Sequence, residues 1–427
     1  MKRVLLLATT TGYQNRSFGE AAEKLGVRLV FATDRCDRLQ DPWWDHAIPI
    51  RFHDEEKSVA KIVAGVNGAS VAGVLAVGDR PTVIAARAAA ALGLRGNPPE
   101  AAAASRNKLA ARMAFSDAGL AVPWFRSVRA ADDPQAIANT VPYPCVVKPL
   151  ALSGSRGVIR ANTPEEFGAA FTRLRALLHA IDVRMERDAA HDVVLIESFI
   201  PGREYALEGV LADGSLRTFA IFEKPDPLDG PFFEETIYVT PPAIGANEQE
   251  RIRAAVAAAA AALGLRHGPV HAEARVNERG VYVLEVAARP IGGLCSRALR
   301  FADVKGRAAG KAGCAADVSL EEVLLRHALG EDVSAYTRED AASGVMMIPI
   351  PRRGRFTGVE GEDEARATPG VVDVRITAKP DQQLVPLPEG KSYLGFIFAR
   401  APRAHDVEAA LREAHRRLRF RIERALT

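Results

Sequence analysis

The sequence predicts a multidomain protein of α/β and α+β character, and three observations carry that reading. The chain has 427 residues, more than one compact core organises, so roughly two to three domains are expected. Up to about residue 95, short apolar runs alternate with stretches of helical spacing, the rhythm of βαβ units on a parallel sheet. Past Asn97-Pro98-Pro99, strands follow one another with turns between them and with fewer helices, an α+β pattern.

In chain order, Val4 to Ala8 is an apolar run closed by a turn at Gly12. The opening MKRVLLLATTTGY has too short an apolar core for a leader peptide and no small-residue cleavage site, so it reads as a buried first strand. Phe18 to Leu25 has helical spacing, Arg28 to Ala32 and Val74 to Val77 read as strands, and 82–92 is an alanine-rich helix. Ligands of such sheets gather at the carboxyl ends of the strands, here Thr9 to Gly12 and Gly78 to Arg80. A helix over about 100–118 follows, ended by Gly119 and Pro123. Then come a strand at Cys145 to Lys148, a Gly/Ser/Arg loop from Leu152 to Val158, and an amphipathic helix over 165–180. Strands are expected at 193–197, 204–211 and 216–222, and a helix at 248–263. The stretch 302–317 is rich in Gly, Ala and Lys and reads as mobile. A helix over 319–329, several strands and a last helix over 405–424 complete the chain.

Composition narrows the class. Apolar residues make up 48% and charged ones 26%, with a net charge of +3, which offers no nucleic-acid or membrane surface. The basic stretch Arg412 to Arg424 carries apolar residues at helical spacing and reads as a solvated helix face. Four cysteines, Cys36, Cys145, Cys295 and Cys314, are widely spaced without a CxxC pair, the pattern of reduced thiols in a cytoplasmic protein.

The most informative segment is HAEARVNERGVYVLEVAARP. Asn277-Glu278-Arg279-Gly280 reads as a tight turn joining two alternating runs, so Glu273 and Glu285 can share one face. Like-charged carboxylates brought together are costly unless a cation sits between them, and a small hard-oxygen set suits Mg²⁺ shared with phosphates. The plain alternative is an exposed hairpin with solvated glutamates. Upstream, Lys148 precedes Ser153-Gly154-Ser155-Arg156-Gly157, a loop whose N–H groups can wrap phosphate oxygens; a surface turn is its plain alternative. Glu197 and Glu204 flank the Pro201-Gly202 turn, where one carboxylate could meet an adenine amino group and the other ribose hydroxyls. Backbone atoms of Phe199 and Ile200 could meet the ring edge.

Taken in order, Lys108, Lys148, the glycine loop, Glu197, Glu204, Glu273, Glu285 and Arg289 resemble the ATP-grasp superfamily from roughly Lys108 to Gly293. The phrases DPLDGPFFEETIYVTPP and EVAARPIGGLCSRAL look like its L-amino-acid ligase branch, and the C-terminal SYLGFIFARAPRAHDVEAALREAHRRLRF is similar to the last subdomain of those ligases and of biotin-carboxylase-like relatives. The resemblance implies a Rossmann-like N-terminal domain (1–97), a two-lobed ATP-grasp centre (98–318, small lobe about 120–200) and a C-terminal α+β subdomain (319–427). It implies an ADP-forming carbon–nitrogen ligase that activates a carboxylate, an amino acid, as an acyl phosphate and couples it to an amine. ATP would lie on Lys108, Lys148, Ser153, Gly154, Ser155, Gly157, Glu197, Phe199, Ile200 and Glu204. Mg²⁺, with Mn²⁺ as the other ion such a site can take, would lie on Glu273 and Glu285. The family usually shows Glu-x-Asn-x-Arg at the second metal ligand, and Ala287 replaces the Asn here, leaving the number of bound metals open.

Arg289 is assigned to the substrate carboxylate and the oxyanion of the tetrahedral intermediate, with a salt bridge to Glu285 as the plain alternative. Lys224 could approach the carboxylate or the γ-phosphate. Glu234 and Glu235 could receive a substrate ammonium group beside Phe232 and Phe233, and Gly292-Gly293 would let backbone approach the reacting groups. His271 reads as structural, and Gly306 to Lys311 has the wrong spacing for a Walker loop. The rival readings are a biotin-carboxylase-like or purine-pathway ligase of the same superfamily, and an ATP-binding module that has lost catalysis. The expected partners are small carboxylate and amine substrates and, as in many relatives of this type, a second copy in a homodimer.

Overall fold

Alternation within the first strand decides how the N-terminal domain sits in the molecule. The computed structural model describes residues 2–10, 12, 14–35, 47–66, 70–304 and 317–424. Strand Arg3–Ala8 lies between Arg28–Thr33 and Gly73–Val77, and Ile48–Pro49 completes a four-stranded parallel sheet. Leu5 and Leu7 face helices Glu55–Gly65 and Thr82–Ala91, burying against Ile62 and Ile84. Val4, Leu6 and Ala8 face the other way, onto Phe18 of helix Asn15–Leu25 and onto a core shared with Phe222, Val345 and Phe396. Both faces are covered, as a parallel sheet requires, and one cover is the rest of the protein.

The small lobe is a four-stranded sheet in the order Phe125–Arg129, Val193–Ser198, Cys145–Pro149, Ile159–Ala161, every pair antiparallel. Helix Pro164–Leu178 packs on it through Phe167, Phe171, Leu174 and Leu178. Its start is set by Thr163, whose side chain accepts from the Glu166 N–H, and by Pro164 in the first turn. The lobe has a core of its own, from Val128 to Ile196.

An eight-stranded antiparallel sheet forms the rest. Its order is Gly280–Ala287, Gly268–Asn277, Arg203–Ala212, Ser215–Lys224, Ile237–Thr240, Ala342–Ile348, Gly395–Ala401, Val371–Ile376. Helix Ala246–Ala262 covers its first half through Ile252, Val256, Ala259 and Ala260. The ladder from Ile237–Thr240 to Ala342–Ile348 carries the sheet across the expected boundary at residue 318. The fold is the mixed α/β multidomain architecture that the sequence predicts.

Two expected helices differ from what the structure contains. The helix over 100–118 is two, Pro99–Arg106 and Lys108–Asp117. Asn107 is extended (φ −107°, ψ 111°) and its side chain accepts from the Leu109 and Ala110 N–H groups, so it caps a new helix where a continuous one was expected. The last helix is Ala404–Arg417; Arg419–Glu423 is a strand paired with Gly354–Glu360. Its residues alternate, with Ile422 buried and Arg419, Arg421 and Glu423 exposed, so the basic stretch has period 2 after Leu418. Of the expected mobile stretch 302–317, residues 305–316 lie outside the described residues, as do the Walker-like Gly306 to Lys311, Cys36 and Cys314. Cys145 and Cys295 are buried free thiols. Among the described residues no helix is long and apolar enough to cross a membrane.

Candidate active site

The strand ends of all three regions open onto one cavity of about 570 Å³, within the ~300–1,000 Å³ usual for small-molecule sites. The parallel sheet gives Thr9, Gly12 and Gly78 to Pro81 from the carboxyl ends of its strands, as its topology requires. Glu273 and Glu285 stand opposite each other on adjacent strands, so both side chains leave the same face and both line the cavity. A bulge between Glu273 and Ala274 lies beside them, and Ala287 is buried outside the lining.

Each of these carboxylates already faces a cation. Glu273 Oε1 accepts from Lys224 Nζ at 2.7 Å, and Glu285 lies 3.7 Å from Lys108 Nζ. Lys224 is buried and also donates to Glu204 at 2.7 Å and Glu235 at 3.0 Å. Burial would lower the Lys224 ammonium pKa, but the surrounding carboxylates hold it well above its ordinary value. Burial and the Glu273 charge together push Glu235 up to about 7. Oxygens of Glu204, Glu235 and Glu273 lie within 4.8 Å of one another, a hard-oxygen set of the kind that suits Mg²⁺.

His271 lies two residues before Glu273 on the same face, between Glu208 at 3.2 Å and Glu273 at 3.8 Å. Burial opposes its charge, but the two glutamates raise it to about 9, so it is a cation at neutral pH. Glu208 in turn accepts from the Ile291 N–H, two residues past Arg289. His271 thus lines the cavity and braces Glu273.

Several expected partners are replaced. Glu197 does not offer a free carboxylate: it is buried and engaged by Arg112 Nε at 2.7 Å and by Lys148. Burial would raise its pKa, yet the two cations bring it to about 2. Glu204 is likewise held, by Lys224 and by Arg275 Nε at 2.9 Å. Arg289 pairs with Asp79 rather than Glu285, Nε to Oδ1 at 2.9 Å and Nη2 to Oδ2 at 3.2 Å. Glu235 and Lys224, expected to meet substrate separately, meet each other.

Lys108 opens the second helix, and its Nζ donates to Leu152 O at 2.7 Å, at the start of the glycine loop. Ser153, Gly154 and Ser155 line the cavity; Gly157 stands behind, its N–H donating to Pro388 O at 2.8 Å. Gly154, Ser155 and Gly157 have φ of 63°, 54° and 75°, so the loop turns its N–H groups through left-handed conformations. Phe199 and Ile200 line the wall, with Phe199 stacked on Phe233 at 6.4 Å and Arg275 over both rings. Glu234, Gly292 and Gly293 also line the cavity. Gly293 has φ 61°, and a Cβ there would meet Phe396 at 3.1 Å.

Arg112, Arg275, Glu208 and Tyr238, whose hydroxyl donates to Glu273 at 3.3 Å, were not singled out by the sequence, and Asp79 was marked only as part of the strand end Gly78 to Arg80. The signal for Asp79 was its place at a strand end, and the rest carry no local pattern.

Comparison with known proteins agrees with this geometry. Family models match as an ATP-grasp N-terminal domain at residues 19–96, an ATP-grasp domain at 141–298, and L-amino acid ligase C-terminal domain 2 at 346–423. The protein y4rH of Sinorhizobium fredii is 26% identical over 422 residues, 97% of this chain and 82% of that one. The alanine–anticapsin ligase of Bacillus subtilis is 29% identical over 288 residues, 62% of this chain. The chain spans 59% of that ligase's length. The crystal structure of L-amino acid ligase from Bacillus licheniformis superposes with a TM-score of 0.80 at 25% identity, covering 99% of both chains. A parallel-sheet domain, a glycine loop on a small lobe and a carboxylate hairpin, matched by models along most of the chain, give this protein the ATP-grasp fold and make it similar to the ligases of the L-amino acid ligase branch.

Proposed function

We propose that the protein joins an amino acid, through its carboxylate, to an amine at the expense of ATP, giving an amide plus ADP and phosphate. The observation that carries this reading is the cross-strand pair Glu273 and Glu285, facing Lys108, Lys224 and the glycine loop across one cavity.

In the reaction a carboxylate oxygen attacks the γ-phosphorus of ATP and ADP departs. The amine then attacks the acyl carbon of the acyl phosphate, and phosphate leaves with the C–O bond. On this reading the phosphates fall to Lys108, bonded to Leu152 O at the start of the glycine loop, to Lys148, and to the N–H groups of Ser153 to Ser155. Glu273 and Glu285, with Glu204 and Glu235 close by, fit Mg²⁺; bound there, the ion would spread the charge of the transferring phosphoryl group. Ala287 offers no oxygen, and Glu204 and Glu235 are already bonded to Lys224, so they could replace the family's Asn only by giving up that ammonium. Glu235, at about 7, is poised to change charge in the working range and so to receive an ammonium group or its proton. Arg289, held by Asp79, is the group for a substrate carboxylate or a developing oxyanion. The glycine loop can close off water from the acyl phosphate.

The matching C-terminal model is that of an L-amino acid ligase, which supports this reading over a biotin- or purine-type carboxylase. Retention of both lysines, both metal-side glutamates and Arg289 argues against a degenerate module. The test is a screen of paired amino acids for ADP formation, with bicarbonate plus biotin and a ribosylamine as controls. Amino-acid-dependent ADP release is expected; release with the controls alone would replace this reading.

A further inference from the structure

The glycine loop is tied from outside to the C-terminal subdomain. The Gly157 N–H donates to Pro388 O at 2.8 Å, and Arg156 Nε donates to Glu389 O at 2.8 Å. Arg156 Nη2 also pairs with Asp182 at 2.9 Å, and Lys391 reaches the same carboxylate at 3.1 Å. Arg173, on the small-lobe helix, grips Glu389 with Nε at 2.5 Å and Nη2 at 2.9 Å. The other side of this segment faces the cavity, through Leu387, Gly390, Lys391, Ser392 and Tyr393. One short segment thus touches the outer surface of the phosphate loop and lines the substrate end of the site.

We propose that Glu389, with Arg173 and Arg156, positions the glycine loop for the reaction, so that the C-terminal subdomain sets how firmly the loop covers the phosphates. This rests on the reading of the loop as a phosphate cover. The physical reason lies in the loop itself. Gly154, Ser155 and Gly157 adopt left-handed conformations, which the Ser pays for in strain, and nothing within 4 Å of the Gly154 Cβ direction packs against it. Such a loop needs fixed points, and among the described residues those outside its own lobe include Lys108, bonded to Leu152 O at its start, and, at its far end, the two backbone carbonyls of Pro388 and Glu389. The Arg173–Glu389 pair fixes those carbonyls. That pair is half-exposed, with side chains 45% and 27% accessible, so as a simple stability contact it contributes little. An effect on turnover larger than its effect on melting is therefore the mark of a positioning role.

The test is a charge swap read two ways on the full chain. Amide hydrogen exchange at 152–158 is measured without nucleotide, and the ratio of ATP hydrolysed to amide formed is measured with the best amino-acid pair. Glu389→Ala and Arg173→Glu are each expected to speed exchange at Gly157 about fivefold, the factor that ~1 kcal/mol gives. Each should raise the ratio of ATP hydrolysed to amide formed, with the melting midpoint nearly unchanged. The double variant Arg173→Glu/Glu389→Arg should return both readouts to within about twofold of the parent. Parental exchange in the single variants, or a swap that restores neither readout, overturns the proposal. A parent protein in which ATP neither slows exchange at 152–158 nor is hydrolysed would instead overturn the function proposed above, while the nucleotide-free exchange still decides whether the segment holds the loop.

Discussion

Asp79 and Arg289 are 210 residues apart in the chain and share two charge-assisted hydrogen bonds at the cavity wall. Arg289 is only 7% exposed, so its guanidinium is costly to leave unpaired. Asp79→Asn keeps the shape but removes the charge that orients the fork, and misplacement of this size can cost on the order of 10²-fold in rate. We expect kcat to fall by about that factor while KM for ATP moves little; a change confined to KM for ATP would place Asp79 at the nucleotide instead. Glu285→Gln removes the charge of a proposed metal ligand whose ion pair with Lys108, at 3.7 Å, is only partly buried, so turnover should fall roughly 10²–10³-fold with the melting midpoint nearly kept. A midpoint that falls in step with activity would make Glu285 structural. The hairpin that carries Glu273 and Glu285 was legible in the sequence from its turn and alternation, though that register alone would set Glu273 opposite Leu284, and the bulge between Glu273 and Ala274 brings Glu285 across from it. The Asp79–Arg289 pair was not, since nothing local links a strand end to a distant arginine. The pairing of Glu197 was hidden for a related reason: its partner Arg112 sits on an ordinary-looking helix, and burial of an arginine leaves no trace in local pattern.

Among elements, helix Leu320–Ala328 carries the clearest pH signal. Its His327 stacks on His267 at the start of the strand Gly268–Asn277, ring centroids 4.5 Å apart. Burial, with His267 beside it, lowers His327 from its ordinary ~6.5 to about 4. His267 is lowered too, by burial and then by Arg95. The folded state therefore holds these rings neutral, while the unfolded chain takes up their protons below ~6.5. Their contribution to stability is complete above about pH 6.5 and is lost as the pH falls toward 4. The urea midpoint should decline over that window, and His327→Gln should flatten the decline; equal slopes for variant and parent would dismiss the stacked pair as its source. The helix itself was legible, since Ser319 and Glu322 form a capping box at its start. The break at Asn107 was hidden because Asn is unremarkable in a helix until its side chain turns to cap the next turn. The terminal strand was hidden because a single residue, Leu418, separates a 3.6-period from a 2-period stretch.

At the scale of the whole molecule, two kinds of core meet around the cavity, and they predict how the protein comes apart. The N-terminal sheet, the large sheet and the C-terminal strands share one cluster, in which Leu6, Phe222, Val345 and Phe396 are all buried. The small lobe instead buries Phe167, Phe171, Leu174 and Val194 among its own residues. Its ties to the rest include the ion pairs Arg106–Asp188, Arg112–Glu197, Arg173–Glu389 and Lys391–Asp182 and the hydrogen bonds from Arg156 to Glu389 O and from Lys108 to Leu152 O, with a minor apolar cluster at Val146, Leu228 and Phe233. A unit joined to its neighbour mainly by polar contacts opens below the global unfolding energy. Two buried thiols report on the two cores. Cys145 lies in the small lobe, where burial pushes its thiol up to about 12, and Cys295 lies in the shared core, where burial raises it further. Neither should react with a thiol reagent while its core is closed. In rising denaturant, peptide mapping should find Cys145 modified first and Cys295 only at the main transition. Because the proposed nucleotide site lies between the small lobe and the large sheet, saturating ATP should move the Cys145 step upward, by about 2.7 kcal/mol at a hundredfold excess over Kd if the lobe binds only when docked. Simultaneous modification of both thiols would mean the lobe unfolds with the rest. An ATP-insensitive Cys145 step would mean the nucleotide does not bridge the two parts.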